Sequence, residues 1–397
     1  MYDVWVTGVG VVSALGAGLE PHAAAVAEAK TGLSKQTFFN GHPPDPCMCA
    51  QVPHEVLPFA IEESAANRAD LLLEAAVRQS LASAGLTSPV TADIFAGTTL
   101  GNMHGGTRYY QTIREQQRHD VSLVKHFLSC APVAAVAKKC AVTGKRWTVA
   151  SACGSAAAAI GHAFQKIRHG TRDRILAGGF EALSSFVVAG FNSLQLVSKK
   201  ESKPFDKDRD GLNPGEGAAI LVLESDKAAM ARGATPLAKI TGFGDALDAY
   251  HHTRAHPEGE GLIAAIKGAM HCAGVTPASL DHVHLHGTGT IVNDTSEFKA
   301  LSAVFGNSLS SVPACSTKPM TGHTFGASGA LNAVFSILSI HNNIIPATRF
   351  HENLDDSFTG LRLFNTPQKL PEITTVLSTS LGFGGEAFAL IIEKADT

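Results

Sequence analysis

Thirty consecutive residues, Pro319 to Thr348, contain no Asp, Glu, Lys or Arg, and neither do the nineteen from Trp147 to Gln165. Uncharged runs of that length suit two environments. One is a lipid bilayer, whose core accepts a helix of about 20 apolar residues. The other is a protein interior covered on both sides. The first run holds Ser151, Cys153, Ser155 and His162, and the second holds Thr321, His323, Ser328, Asn342, Asn343 and Pro346. Lipid would penalise that polar load, so both runs are expected to form helices buried inside protein, in a layered fold with no membrane span. The chain begins Met1-Tyr2-Asp3-Val4-Trp5-Val6. No basic segment precedes the apolar residues, so no secretory leader is expected, and the expected location is cytoplasmic.

Composition narrows the function classes. With 45% hydrophobic residues, 17% charged residues and a net charge of −3, the chain has neither the basic excess of a nucleic-acid binder nor the charge of a disordered protein. Its 397 residues are enough for one large domain or two to three smaller ones. The seven cysteines are odd in number and lack CxxC spacing, which argues against disulfides and structural zinc and fits a reducing compartment. His282, His284 and His286 alternate along an apparent strand and would share a face. A metal site there is a minor reading, because no acidic residue follows closely, and no metal is expected.

The chain repeats itself. An apolar strand, Val4-Trp5-Val6-Thr7-Gly8-Val9-Gly10, is expected to turn through its glycines into a short helix, and Leu237-Ala238-Lys239-Ile240-Thr241-Gly242-Phe243-Gly244 echoes it. Trp147 to Ala150 leads into a small-residue helix after Cys153, as Pro313 to Thr317 leads toward another after His323. A duplicated α/β unit follows, with halves 1–235 and 236–397 and the boundary in the loop from Met230 to Pro236. Between strands near residues 94, 175, 220, 283 and 390 lie helical patterns such as Glu62 to Ala84, with Leu71, Leu72, Ala75, Ala76 and Leu81 on one stripe and Gly85 as the stop. The charged turn from Glu201 to Gly211 reads as a solvated loop.

Four places could carry chemistry. Cys153 lies between an apolar strand and Gly154-Ser155-Ala156-Ala157. The start of a buried helix would lower a thiol's pKa and favour the nucleophilic thiolate. His286 closes a strand and enters Gly287-Thr288-Gly289-Thr290, while His323 stands in Thr321-Gly322-His323-Thr324-Phe325-Gly326 behind Lys318. Glycine-flanked strand ends are where α/β sheets place active residues. Gly382-Phe383-Gly384-Gly385 offers backbone N–H groups for an oxyanion, although a plain hairpin turn would read the same way.

In that order these motifs resemble β-ketoacyl-acyl carrier protein synthases, the type II condensing enzymes of the thiolase-like superfamily. Ala177-Gly178-Gly179-Phe180-Glu181, Pro204 to Gly211 and Asp248 to Thr253 extend the resemblance over nearly the whole chain. It implies a thiolase-like α/β fold of duplicated halves in five layers, αβαβα. By the same resemblance Cys153 accepts an acyl group from acyl carrier protein, and malonyl on that carrier decarboxylates and attacks the acyl-enzyme. His286 and His323 would stabilise the enolate as neutral donors. Lys318 would organise His323 and nearby carboxylates such as Glu297. The amides of Cys153 and Phe383 would form the oxyanion hole. Thr288 and Thr290 would bind the 4'-phosphopantetheine arm of the carrier, with no cofactor resident in the enzyme.

The resemblance also makes Phe383 a gate, with Gly384 and its neighbouring glycines letting its loop move together with Asp248 to Thr253. Phe191, Met103 and His104 would line the acyl pocket at an interface with a second copy or with a chain-length-factor-like subunit. Lys199, Lys200, Lys203 and Lys207 could dock the acidic carrier. The sequence departs from the family pattern at Gly154, Thr379, Leu381 and Glu386-Ala387. The last of these tilts the expectation from fatty-acid elongation toward polyketide or aryl polyene synthesis. The alternative reading is a non-catalytic chain-length-factor-like subunit, which the retained Cys153 opposes.

Overall fold

The computed structural model describes residues 1–39, 41, 44–57, 68–115 and 122–395, with the side chains of His104, Ser122 and His126 outside that description. Five strands of the N-terminal half are Val4–Ser13 (β1), Asp93–Gly97 (β2), Arg146–Val149 (β3), Arg174–Glu181 (β4) and Gly217–Ser225 (β5). Five more follow: Ala238–Leu247 (β6), His282–His284 (β7), Ala314–Cys315 (β8), Thr375–Gly382 (β9) and Glu386–Glu393 (β10). In space they run β8-β7-β9-β10-β6-β1-β5-β4-β2-β3. Each half therefore has the order first, fifth, fourth, second, third. The pairing sense repeats as well, since β4–β2, β2–β3, β9–β7 and β7–β8 are parallel and the remaining neighbours antiparallel. The halves meet edge to edge through three residue pairs, Val4 with Ile240, Trp5 with Lys239 and Val6 with Ala238. The expected two sheets are thus one hydrogen-bonded sheet, folded back on itself.

The helices that matter here are Arg68–Ser83 (α1), Met103–Arg114 (α2), Ser122–Phe127 (α3), Ala131–Lys139 (α4), Ser155–Arg168 (α5), Ser185–Ser193 (α6), Glu260–Ala273 (α7), Ile291–Phe305 (α8) and Ser328–Asn342 (α9). The strand repeat of two divides the apolar residues between layers. Along β5, Ala218, Ile220 and Val222 pack on α1 and α4, while Ala219, Leu221 and Leu223 face α5 and α9. Along β10, Phe388, Leu390 and Ile392 face those same central helices, and Ala387, Ala389 and Ile391 pack on α7 and α8. The result is five layers, αβαβα, with α5 and α9 in the middle.

The uncharged runs end there. Ser328 to Ile340 of α9 are all buried, as are Ser155 to Gly161 of α5. The beginning of the first run differs, because β3 is an edge strand and leaves Trp147 45% exposed. Gly8 and Gly10 also differ from expectation, since both lie inside β1 rather than in a turn. A Cβ on Gly10 would stand 2.0 Å from Ala76 O, and one on Gly8 2.4 Å from Ser80 O, both on α1. In the second half Gly244 would meet Ala265 O at 2.0 Å and Gly242 would meet Ala269 O at 2.2 Å, on α7. The repeated Thr-Gly-x-Gly therefore marks the same close seating of a helix on a strand in each half.

One further expectation changes, and another falls partly outside the described residues. The helix is described from Arg68 rather than Glu62, and residues 62–67 lie outside the described residues. The charged turn is more than a solvated loop: Asp206 is buried and accepts from the amides of Asp208, Glu352 and Asn353, and Arg209 pairs with Asp355 at 2.6 Å. Lys207, Asp208 and Asp210 remain exposed, so the turn is solvated on one side and anchored by Asp206 and Arg209 on the other. Among the described residues no group of three His, Cys, Asp or Glu is placed to hold a metal ion, and no helix is long and apolar enough to cross a membrane.

Burial also fixes a pH response. His22 and His282 are held down at about 4 by desolvation, against 6.5 for a free imidazole. The unfolded chain therefore binds more protons than the native protein between those values, and stability present above pH 6.5 is lost as the pH falls toward 4. Thermal unfolding of the wild type should drop steeply across that window, and His282→Leu should flatten the drop; parallel curves for the two proteins would contradict this.

Candidate active site

Cys153 is reached through an abrupt bend. After β3 the chain passes through Ala152, whose φ of 44° lies in the left-handed region that costs a non-glycine residue roughly 1–2 kcal/mol. Local bonds hold it there. Ser155 Oγ donates to Ala152 O at 2.6 Å and accepts from Ser151 N at 2.9 Å, and Thr99 Oγ1 donates to Ala152 O at 3.0 Å. The thiol thus sits one residue before Gly154, which caps the central helix α5. Gly154 has no room for a side chain, because a Cβ there would stand 2.3 Å from the ring of Phe388.

The equivalent step of the second half, from β8 to α9, carries His323, and the end of β7 carries His286. These three residues line one cavity of about 260 Å³, together with Phe191, Thr288, Thr290, Gly382 and Phe383. The two imidazoles stand edge to face with centroids 5.4 Å apart. Phe325 N donates to His323 Nδ1 at 3.3 Å, which places the proton of the neutral ring on Nε2. Nδ1 of His286 is sealed off without a partner, leaving Nε2 as the nitrogen through which that ring can donate. Thr288 and Thr290 hydroxyls lie 2.8 Å apart in the wall.

Lys318 lies beneath the cavity, where its charge acts on His323 and Glu297 as expected and its ammonium has a hydrogen-bond partner of its own. Its Nζ donates to the carbonyl of His286, not to His323. Glu297 completes the floor, accepting from His286 N at 2.7 Å, Gly287 N at 2.8 Å and Thr379 Oγ1 at 2.7 Å. Burial pulls Lys318 down to about 8 while Glu297 opposes it. Burial, then the charge of Lys318, pushes both His286 and His323 well below 6.5, so both rings are neutral donors. The thiol corrects the helix-terminus expectation: desolvation pushes Cys153 up to about 12, and the charge of Lys318 offsets this only in part.

The Phe383 loop is tied to its neighbour. Gly384 N donates to His252 O at 3.0 Å and Asp248 N to Gly385 O at 2.9 Å, so the two loops expected to move together are hydrogen-bonded. Gly384 itself lies outside the cavity wall. An aromatic ladder runs inward from the Phe383 loop, with Phe383 on Phe191 at 5.7 Å, Phe191 on Phe325 at 4.8 Å and Phe325 on His323 at 4.9 Å. Met103 is not in this cavity. It lines a second, apolar one of about 580 Å³ on the far side of α6, with Tyr109, Tyr110, Phe127 and Phe186.

Sequence reasoning missed the role of Glu181, whose buried carboxylate accepts from Thr98 Oγ1, Thr99 N, Leu100 N and Gly326 N between 2.7 and 3.2 Å. A lone acid ending an apolar strand was the available signal. It missed Asp294 too, which accepts from Phe205 N at 2.8 Å and from Thr288 N and Gly289 N at 3.2 Å, and which shares a face with Glu297 three residues on.

Residues 1–229 match the model of the β-ketoacyl synthase N-terminal domain and residues 237–351 that of its C-terminal domain. The chain is 33% identical to a 3-oxoacyl-[acyl-carrier-protein] synthase 2 of Coxiella burnetii, covering 98% of each chain, and 31% identical to one of Staphylococcus aureus with the same coverage. Among solved structures, the ishigamide ketosynthase/chain length factor superposes with a TM-score of 0.93 at 29% identity over the whole of both chains. A ketosynthase in complex with its chain length factor from Xenorhabdus doucetiae gives 0.87 at 28%, over 99% of this chain and 98% of the other.

A Cβ on Gly385 would stand 1.9 Å from Asp248 Oδ1 at a φ of 83°. Gly385→Ala should therefore part the Phe383 loop from its neighbouring loop and slow acyl transfer roughly 10- to 100-fold, with far-ultraviolet circular dichroism unchanged. Wild-type turnover in that variant would show the link to be dispensable.

Proposed function

This chain belongs to the β-ketoacyl synthase family, and from that premise we propose that it extends a carrier-bound acyl chain by two carbons through decarboxylative condensation. The observation that carries the reading is the convergence of Cys153, His286 and His323 on one cavity. In the first half-reaction Cys153 attacks the acyl thioester, its new S–C bond forming as the carrier's S–C bond breaks, and the thiol proton ends on the departing carrier sulfur. The oxyanion is received by the amides of Cys153 and Phe383, and the carrier thiol leaves. Loss of the thiol proton is eased by the charge of Lys318 and by the donors that meet the arriving carbonyl.

In the second half-reaction malonyl on the carrier loses carbon dioxide. The electron pair moves onto the thioester oxygen, where His286 and His323 donate through Nε2. Neutral rings suit this step, because they give hydrogen bonds without needing a proton from solvent. The enolate carbon attacks the acyl group on Cys153, the thiolate departs, and a β-ketoacyl thioester remains on the carrier. Thr288 and Thr290 bind the 4'-phosphopantetheine arm. Arg254 at the cavity and the exposed Lys199, Lys200 and Lys207 favour an acidic carrier, while Lys203 is engaged with Glu352 at 3.0 Å.

We infer division into halves at 235/236 and assembly with a second ketosynthase-like chain, either a copy or a chain length factor. The half-exposed Tyr110, Phe127 and Phe186 around the apolar cavity support a covered face. Two-carbon extension is the same chemistry for a fatty acid, a polyketide or an aryl polyene. A role as a non-catalytic partner is disfavoured, since such a subunit has no use for a cysteine set between two neutral histidines.

Cys153→Ala should abolish condensation by about 10³-fold or more, and Cys153→Gln should leave a malonyl decarboxylase, its amide standing in for the acyl carbonyl. His323→Ala should still take up acyl on Cys153, read by intact-protein mass, yet release carbon dioxide roughly 10²–10³-fold more slowly. Wild-type condensation by Cys153→Ala would refute the nucleophile; equal carbon dioxide release by His323→Ala would refute the enolate site.

A further inference from the structure

Away from the catalytic cavity, strand Cys47–Ala50 pairs antiparallel with Leu33–Gln36. Its alternation puts Cys47 and Cys49 on one face. Their sulfurs lie 3.5 Å apart, Cys49 Sγ donating to Cys47 Sγ. Both are free thiols and nearly sealed, at 3% and 0% exposure. They pack on Leu183 and on Val188 of α6, with Phe38, Phe39 and Val197 around them.

The two sulfurs are not equivalent. The hydrogen bond from Cys49 draws the Cys47 thiol down from its ordinary value against the effect of burial. Cys49 is pushed up by that same bond and by desolvation. A thiol held by a neighbour as an acceptor is the one that attacks, and the neighbour is placed to resolve the product. Burial is the largest cause that raises Cys140 and the one cause that raises Cys315.

We propose that Cys47 and Cys49 form a redox site, separate from the condensation chemistry, which a hydroperoxide oxidises to an intrastrand disulfide. The Cys47 thiolate attacks one peroxide oxygen, the O–O bond breaks, and hydrogen peroxide leaves a sulfenic acid and, after protonation, one water. The Cys49 sulfur then attacks the sulfenic sulfur. The S–S bond forms, the S–O bond breaks, and a second water carries off the remaining proton. Two thiols and one hydrogen peroxide give one disulfide and two waters, with two electrons passing from sulfur to the peroxide.

Residues two apart in a strand have Cα atoms about 6.6 Å apart, near the upper limit of about 6.8 Å for a disulfide. Closure therefore shortens the strand at Met48, where it pairs with Lys35. A strained bridge of this kind is readily reduced, so the oxidation is reversible by thiols. The shortening would be felt at Val188 of α6, the helix that also bears Phe191.

Trypsin releases both cysteines, and no others, in the single peptide 36–68. The folded wild type is treated with hydrogen peroxide, then unfolded in guanidinium chloride, alkylated with iodoacetamide and digested. The peptide should escape alkylation and weigh two hydrogens less than the dithiol, and dithiothreitol given before alkylation should restore two labels. With dimedone present, Cys49→Ser should trap a sulfenic adduct at Cys47, and Cys47→Ser should give no adduct at Cys49. Full alkylation of the peroxide-treated wild type, irreversible sulfinic acid without disulfide, or an adduct at Cys49 in Cys47→Ser would each overturn the proposal.

Discussion

The close approach of α5 and α9 is the constraint on which the rest of the molecule depends. A Cβ on Gly329 would stand 2.7 Å from the backbone nitrogen of Ala157, so the two helices touch at their small residues. The stretches packed that tightly between two layers of sheet, Ser155 to Gly161 and Ser328 to Ile340, have no path to water, and charge within them would be left unsolvated. Lys166 and Arg168 stand in the last turn of α5, where it reaches the surface. Polar chemistry is driven to the helix starts, where the chain emerges from β3 and β8. Cys153 and His323 stand at those two places, related by the internal repeat of the fold.

The same enclosure sets the state of the site. Desolvation is the largest influence on Cys153, His286, His323, Glu297 and Lys318 alike. It keeps both imidazoles neutral, which suits donors to a developing enolate. It also keeps the nucleophile protonated until substrate brings donors of its own. Lys318 supplies charge below the cavity, and Glu297 holds the amides of His286 and Gly287 while facing that charge. The floor is a positioning device built of paired groups.

Much of this was legible in the sequence. The uncharged runs, the Thr-Gly-x-Gly echo and the glycine-flanked histidines each pointed to the duplicated layered fold and its site. What the sequence could not show were distances across the chain. Gly8 and Gly10 looked like a turn because their reason, the backbone of α1, lies more than 60 residues away. The acids Glu181 and Asp294 looked ordinary because most of their partners are backbone amides, which carry no sequence signature. Cys153 looked activated because helix position is visible in sequence and burial is not.

The central claim is that the two uncharged helices present one nucleophile to one carrier-borne acyl group. It is tested most directly by offering the wild type a panel of acyl carrier proteins of different chain length and unsaturation and reading peptide mass at each cysteine. The account predicts a thioester at Cys153 alone, with loading that varies with the acyl chain and so identifies the pathway. Acylation at another cysteine, or none at Cys153 with any member of the panel, would contradict it.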